Sequence, residues 1–246
     1  MGLLRTFQSR SGRLRSTGPE NPSVRGNSGL TRGHKVVSLV EFALGGAVVV
    51  AYNVYHVIPN EVYILVVLGL VSLRLRDGGW SLLGLGWPRS WRRTIAIAVL
   101  VAVVRLLLSA LVIDPLTARF WPASAGSYGF EEITGHLTVA LRWLVTVWTF
   151  AAFGEEISYR GYLLTRAADV GNRSETAYWI GLLAVSALFG IGHYYKGPAG
   201  MIDSGTGGLV FGAAYLLSGR NLWVSILAHG LVDTFGVVAL FLGWAT

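Results

Sequence analysis

Ionisable residues lie inside or beside strongly apolar stretches of the sequence, where such residues are rare. Glu155 and Glu156 end one stretch, His193 follows a second, and His229 and Asp233 lie within the last. A charge at the centre of a bilayer costs roughly 2.5–3.5 kcal/mol on insertion scales. These groups must therefore pair, lose their charge or face a water-filled cavity. A carboxylate together with two imidazoles could activate a water molecule for attack on a carbonyl carbon.

Helical spacing predicts which of these groups pair with each other. Glu156 and Arg160 are four residues apart with the acid first, so they share a helix face and can neutralise each other. Glu155 points about 100° away from Glu156 on a regular helix, and it is left free to act. His229 and Asp233 are also four residues apart and share a face. Separate helices must therefore bring the free carboxylate and the imidazoles together.

The composition indicates an integral membrane protein. Of the 246 residues, 53% are hydrophobic and only 13% are charged, whereas about 25% of the residues in an average soluble domain are charged. Seven of the 20 Lys and Arg residues precede residue 36. The basic excess thus lies in a polar arm, and no nucleic-acid partner is predicted. The chain has no Cys, which excludes disulfides, thiolate metal sites and a cysteine nucleophile.

The apolar segments predict an all-α fold, a polytopic membrane helix bundle of about six to eight membrane segments. They cover residues 36–56, 62–73, 94–113, 137–153, 177–191, 209–217 and 222–244. A full span needs about 20 residues, so the second and sixth are predicted to be short spans or re-entrant pieces. Residues 35–246 form the predicted membrane domain, and residues 1–34 a disordered, basic cytosolic tail. For the tail, a myristoylation signal, an organelle transit peptide and an arm on anionic lipids remain alternatives.

The distribution of Lys and Arg predicts a multi-pass protein of the cell membrane with a cytosolic N terminus. Sixteen of the 20 lie in the tail, in the loop 74–93, after the fourth segment or before the last one, and only Arg119 and Lys196 lie on the other side. In this arrangement Glu155 lies near the cytosolic end of the fourth segment, whereas His193 lies at the far end of the fifth. The two can meet if the fourth helix continues past Arg160 inside the membrane, or if the fifth is tilted.

Three short motifs, in order along the chain, resemble those of the type II CAAX prenyl endopeptidase and bacteriocin-processing family of intramembrane glutamic proteases. They are EExxxR from Glu155 to Arg160, FxxxH from Phe189 to His193, and HxxxN from His229, with Asp233 at the last place. Residues 159–163 and the loop 83–86 extend the resemblance over roughly residues 80–245. Each motif alone is weak, but the ordered set is specific.

The resemblance implies a role for each motif residue, and we predict no cofactor. Glu155 would be the general base that activates water, and His193 would help to hold that water. His229 and residue 233 would stabilise the tetrahedral oxyanion. Structural support of the site would come from Glu156, Arg160 and Phe189.

Asp233 departs from the family pattern. Asn can donate a hydrogen bond to an oxyanion, whereas an ionised Asp cannot and would repel it. Either Asp233 is protonated and donates, or it orients His229 and leaves that imidazole as the only donor. We favour the second explanation.

The predicted function is hydrolysis of a peptide bond in a membrane-bound peptide or protein, including lipid-modified or CAAX-like substrates, within the lipid bilayer. Two other functions could use the same residues: proton-coupled transport through a relay of ionisable groups, and a catalytically silent partner of the bacteriocin-immunity type. A zinc ion held by His and carboxylate ligands is a minor alternative, because the sequence has no HExxH helix. The sequence does not define an oligomeric state.

Overall fold

The computed structural model describes residues 29–121 and 131–244, and within these ranges the chain is helical, without a strand. The all-α prediction is confirmed for this part of the chain. Most of the predicted tail, residues 1–28, lies outside the described residues. The last residues assigned to the tail belong to the first helix, α1, which begins at Arg32. It begins there because the side chain of Thr31 accepts a hydrogen bond from the His34 N–H and caps the helix.

Seven helices make up the described bundle. They are α1 (Arg32–Asn53), α2 (Glu61–Arg76), α3 (Trp91–Thr117), α4 (Leu137–Asp169), α5 (Glu175–Ile191), α6 (Gly197–Leu217) and α7 (Leu222–Phe241). Four of them, α1, α3, α4 and α7, are long and apolar enough to cross a membrane. α5 and α6, joined by a short turn and bent by 62°, form a fifth candidate span.

The prediction of six to eight membrane segments is not confirmed, because the described helices offer four or five spans. α2 has 16 residues, about 24 Å of helix, which is shorter than the roughly 30 Å hydrocarbon core of a bilayer. The segments predicted at 177–191 and 209–217 are parts of one bent pair. The segment predicted at 137–153 is only the first half of α4, which has 33 residues. The helices together indicate a multi-pass membrane protein.

α4 is the centre of the bundle. All residues from 156 to 166 are buried, and the helix packs against α1, α2, α5 and α7. Glycine permits this close packing, since a Cβ on Gly69 of α2 would lie 2.8 Å from the Cβ of Tyr162. The middle of α4 consists of π-helical turns over Val147–Glu155 and Ile157–Leu163. This wider i→i+5 geometry is frequently found at functional sites.

A buried ionic cluster ties α4 to α1 and α2. Arg166 of α4 is fully buried and donates to Asp77, which follows α2, and to Asp169. Asp169 also accepts a hydrogen bond from Ser38 of α1 at 2.6 Å. Burial opposes ionisation of Asp77, but hydrogen bonds from Arg173 and Arg166 outweigh it and hold the pKa of Asp77 below its ordinary value. The register of α4 against α1 and α2 is therefore set by charge pairing at this end.

Contacts between helix termini define two ends of the bundle. The basic end contains the first turns of α1, α3, α5 and α7 and the last turns of α2, α4 and α6; there the Leu222 N–H donates to Gly84 O at 3.0 Å. The far end contains the opposite termini of the same helices; there the Gly135 N–H donates to Phe241 O at 3.0 Å. Gly84 adopts a positive φ of 77°, and its lack of a side chain lets the loop before α3 contact Arg220 O.

Candidate active site

The EExxxR motif lies in the π-helical middle of α4 and links four helices. Glu156 is fully buried, and its Oε1 accepts hydrogen bonds from Arg160 Nη1 and His229 Nδ1, both at 2.9 Å. Arg160 also donates to Gly208 O of α6 at 3.0 Å. Its Cζ lies 4.6 Å from the centre of the Phe189 ring of α5. The Glu156–Arg160 pair predicted from spacing is present, and it connects α4 to α5, α6 and α7.

Glu155 faces a cavity of about 730 Å³. Its Oε2 is buried and makes no hydrogen bond within the described residues. The carboxylate is therefore not neutralised by a partner on its own helix, as its spacing from Glu156 predicted. It is available to accept a hydrogen bond from a group inside the cavity.

His193 lies in the turn that follows α5. Its Nδ1 is 2.8 Å from Phe189 O, and because a carbonyl oxygen only accepts, Nδ1 must carry the proton in this contact. In the neutral ring Nε2 is then a bare acceptor. The Phe189 ring lies 4.8 Å from the imidazole, centre to centre. The FxxxH spacing thus fixes both the tautomer and the orientation of His193.

His229 of α7 is held by two aromatic rings and two carboxyl groups. Its ring stacks on Phe211 of α6 with centres 4.9 Å apart, and Phe189 meets it edge-on at 6.0 Å. Nδ1 contacts Glu156, as described above, and Nε2 lies 3.4 Å from Asp233 Oδ2. The contact confirms that His229 and Asp233 share a helix face.

The four residues predicted to be catalytic line the same cavity: Glu155, His193, His229 and Asp233. The prediction that Glu155 lies near the end of its segment is wrong, because α4 continues to Asp169 and places Glu155 near its middle. α5 ends at Ile191, and the bent turn after it carries His193 to the same cavity. The fourth helix continues past Arg160 to Asp169, as the first of the two predicted arrangements requires.

Two polar features of the cavity lie outside the motifs. Glu61, the first residue of α2, is 5% exposed, and its Oε2 has no hydrogen-bond partner within the described residues. Arg105 of α3 and Ser109 each donate to Asp203 of α6 at 2.7 Å. The sequence signal for Glu61 was its position as the acid that opens an apolar helix. The position of Asp203 beside Arg105 follows only from packing, since 98 residues separate them.

The arrangement can perform acid–base chemistry. It offers a carboxylate, an imidazole nitrogen that can accept and a second imidazole that can donate, all at one cavity. Among the residues that the structure describes, no three His, Asp or Glu side chains form a set that could bind a metal ion.

Comparison with known proteins gave one family match. Residues 137–235 match the family model described as Rce1-like, type II CAAX prenyl endopeptidase. The match contains all three motifs and confirms the resemblance, over about two fifths of the chain rather than the whole of residues 80–245. No curated protein and no solved structure matched the chain significantly.

Proposed function

Because residues 137–235 match the family model described as Rce1-like, type II CAAX prenyl endopeptidase, we propose that this chain is an intramembrane endopeptidase. It hydrolyses a peptide bond in a membrane-associated substrate with a water molecule that Glu155 activates. The observation that carries the proposal is the convergence of Glu155, His193, His229 and Asp233 on one cavity inside the bundle. Lipid-modified and CAAX-like peptides belong to the proposed substrate class, and the cell membrane is the proposed location.

The reaction begins with a water molecule between Glu155 and His193. Glu155 Oε2 accepts one O–H of the water, and His193 Nε2 accepts the other. The oxygen lone pair is then directed at the carbonyl carbon of the substrate. As the C–O bond forms, the first proton passes to Glu155 and the carbonyl π electrons move onto the carbonyl oxygen. General base catalysis of this kind contributes about 10²–10⁴-fold in rate.

His229 is the proposed donor to the oxyanion. Its Nδ1–H is held by Glu156, which directs Nε2–H to the cavity, so the ring carries both protons in this scheme. A single preorganised donor of this kind contributes about 3 kcal/mol of transition-state stabilisation. The C–N bond then breaks, and the proton on Glu155 passes to the leaving nitrogen. The products are a carboxylic acid and an amine, and the site returns to its starting protonation.

Asp233 is proposed to orient His229. The distance of 3.4 Å between Nε2 and Asp233 Oδ2 is longer than an ordinary hydrogen bond. The carboxylate therefore attracts the Nε2–H without holding it in a short bond, and the oxyanion can replace it as acceptor. Asp233 has a side chain that is 30% exposed, so water can solvate its charge when the oxyanion forms.

Comparative membrane proteomics tests the proposed function. Membranes of cells that express the wild-type chain or Glu155→Gln are compared for peptides whose cleavage disappears. The matched control is Glu175→Gln, because Glu175 lies at the basic end with a side chain that is 71% exposed and does not line the cavity.

The proposal expects cleavage products that are lost in Glu155→Gln and kept in Glu175→Gln, at equal expression. It is overturned if no product depends on Glu155. Function that survives Glu155→Gln would identify a silent partner instead, and flux that follows a proton gradient would identify a transporter.

A further inference from the structure

The two ends of the bundle differ strongly in basic residues. Within the described ranges, the basic end carries ten Lys and Arg residues: Arg32, Lys35, Arg74, Arg76, Arg89, Arg92, Arg93, Arg166, Arg173 and Arg220. In the far half of the bundle, Arg105 of α3 lines the cavity. Only three other basic residues of the described ranges lie in that half: Arg119, Arg142 and Lys196. Lys and Arg concentrate on the cytosolic side of membrane proteins, and acids contribute little to this rule. The bias predicts that the basic end faces the cytosol.

The cavity that contains the candidate catalytic residues is built from the far halves of the helices. It is lined by the last turn of α1, the first turn of α2, the first half of α4, the turn after α5 and α7 from His229 to Leu240. His56 and Tyr195 lie on two far-end turns, line the cavity and are exposed, Tyr195 by 52%. The described part of the chain therefore opens this cavity at the far end.

Toward the basic end the site is closed by buried side chains. Tyr159, Arg160, Phe189 and Phe211 are each at most 3% exposed. The rings of Tyr159 and Phe189 pack edge to face with centres 5.0 Å apart, and Arg160 lies against Phe189. A second cavity of about 940 Å³ lies at the basic end, between the loop 81–90 and the start of α7, and none of the four candidate catalytic residues lines it.

We infer that substrates reach Glu155 from the membrane face opposite the basic end, which is the non-cytosolic face. The inference rests on the proposed endopeptidase function and narrows its substrate class. The substrates are polypeptides anchored in the membrane or translocated across it, with the cleaved bond presented on the non-cytosolic side. A lipid-anchored C terminus held in the cytosol would have to pass the layer formed by Tyr159, Arg160 and Phe189.

The residues that line the cavity indicate which kind of substrate segment can bind in it. Apolar side chains such as Phe150, Val237 and Leu240 occur beside the buried carboxyl group of Glu61 and the carboxylate of Asp203. An apolar, extended peptide can bury side chains against the first set. Its N–H groups or a basic side chain can donate to the unpaired Oε2 of Glu61.

Single cysteines test the side of access, because the chain contains no Cys of its own. Gly236→Cys places a thiol inside the cavity, where a Cβ meets nothing within 4 Å. His56→Cys reports whether the far-end turn is accessible to the reagent. Ser81→Cys, at an exposed position, reports whether the basic end is accessible. Each full-length variant is treated with a membrane-impermeant sulfonated maleimide, in intact cells and after permeabilisation. Val232→Cys, on the cavity wall, is the second internal reporter in case Gly236→Cys does not accumulate.

The expected result is labelling of His56→Cys and of the internal cysteine in intact cells, with labelling of Ser81→Cys only after permeabilisation. Labelling of Ser81→Cys and protection of His56→Cys in intact cells overturns the assigned orientation. Protection of the internal cysteine while His56→Cys is labelled overturns the opening at the far end.

This outcome is separable from that of the proposed function. Glu155-dependent cleavage at cytosolic segments overturns the inferred side of access, but it supports the proposed endopeptidase function. Failure to find any Glu155-dependent cleavage overturns the endopeptidase and does not alter the labelling pattern.

Discussion

Replacing Arg160 with Met removes a fully buried guanidinium and leaves the Glu156 carboxylate with one partner, His229. Removing one member of a buried ion pair costs about 3–5 kcal/mol. Losing the donor to Gly208 O costs about 1–3 kcal/mol more if that carbonyl stays unpaired, and the contact with Phe189 contributes about 0.5–2 kcal/mol. These contributions share one network and do not add. Since His229 still donates to Glu156, we expect Arg160→Met to lower the free energy of unfolding by about 3–5 kcal/mol.

The assay is denaturant unfolding of the purified chain in detergent micelles. The double variant Arg160→Met with Glu156→Gln removes both charges, so it should recover about 2 kcal/mol of the loss. The matched control is Arg220→Met, which breaks an exposed pair with Glu175 whose side chains are 40% and 71% exposed; it should change stability by at most about 1 kcal/mol. The reasoning is refuted if the double variant is no more stable than Arg160→Met, or if Arg160→Met is as mild as the control.

Four further predictions follow from the same contacts. Asp233→Asn should keep cleavage or raise it by up to about tenfold, through added oxyanion stabilisation of about 1.4 kcal/mol; loss of cleavage in a folded variant contradicts both explanations of Asp233. The pKa of Asp77 lies below its ordinary value of 3.8, so its stabilisation is present above that value and lost as the pH falls through the folded pKa; the unfolding midpoint should drop in acid, and less so in Asp77→Asn. Gly190→Ala should destabilise the α5–α6 contact, because its Cβ would lie 2.7 Å from a backbone carbonyl oxygen, whereas Gly236→Ala meets nothing within 4 Å and should be neutral in thermal unfolding. Strong chelators should leave Glu155-dependent cleavage unchanged, and inhibition reversed by added zinc would support a metal site.

The contacts predicted from the sequence are those within one helix turn. Glu156 with Arg160, Phe189 with His193 and His229 with Asp233 are each four residues apart, and each pair is in contact. Helical periodicity alone specifies such neighbours, whatever the rest of the chain does. The hydrogen bond between Glu156 and His229 spans 73 residues and has no local signature, so helical spacing predicts only Arg160 as the partner of Glu156.

Composition, the order of the motifs and the Lys and Arg bias determine by themselves that the chain is an apolar, helical membrane protein with a carboxylate and two imidazoles to bring together. The depth of Glu155, the bend that carries His193 to it and the end at which the cavity opens depend on how α4, α5 and α7 pack. The physical reason is that an apolar side chain is stabilised by burial in lipid as well as by burial in protein. The hydrophobic pattern therefore does not specify where one helix ends and the next begins. Only the packed tertiary structure, with the buried Glu156–Arg160–His229 contacts at its centre, brings the candidate catalytic residues to one cavity.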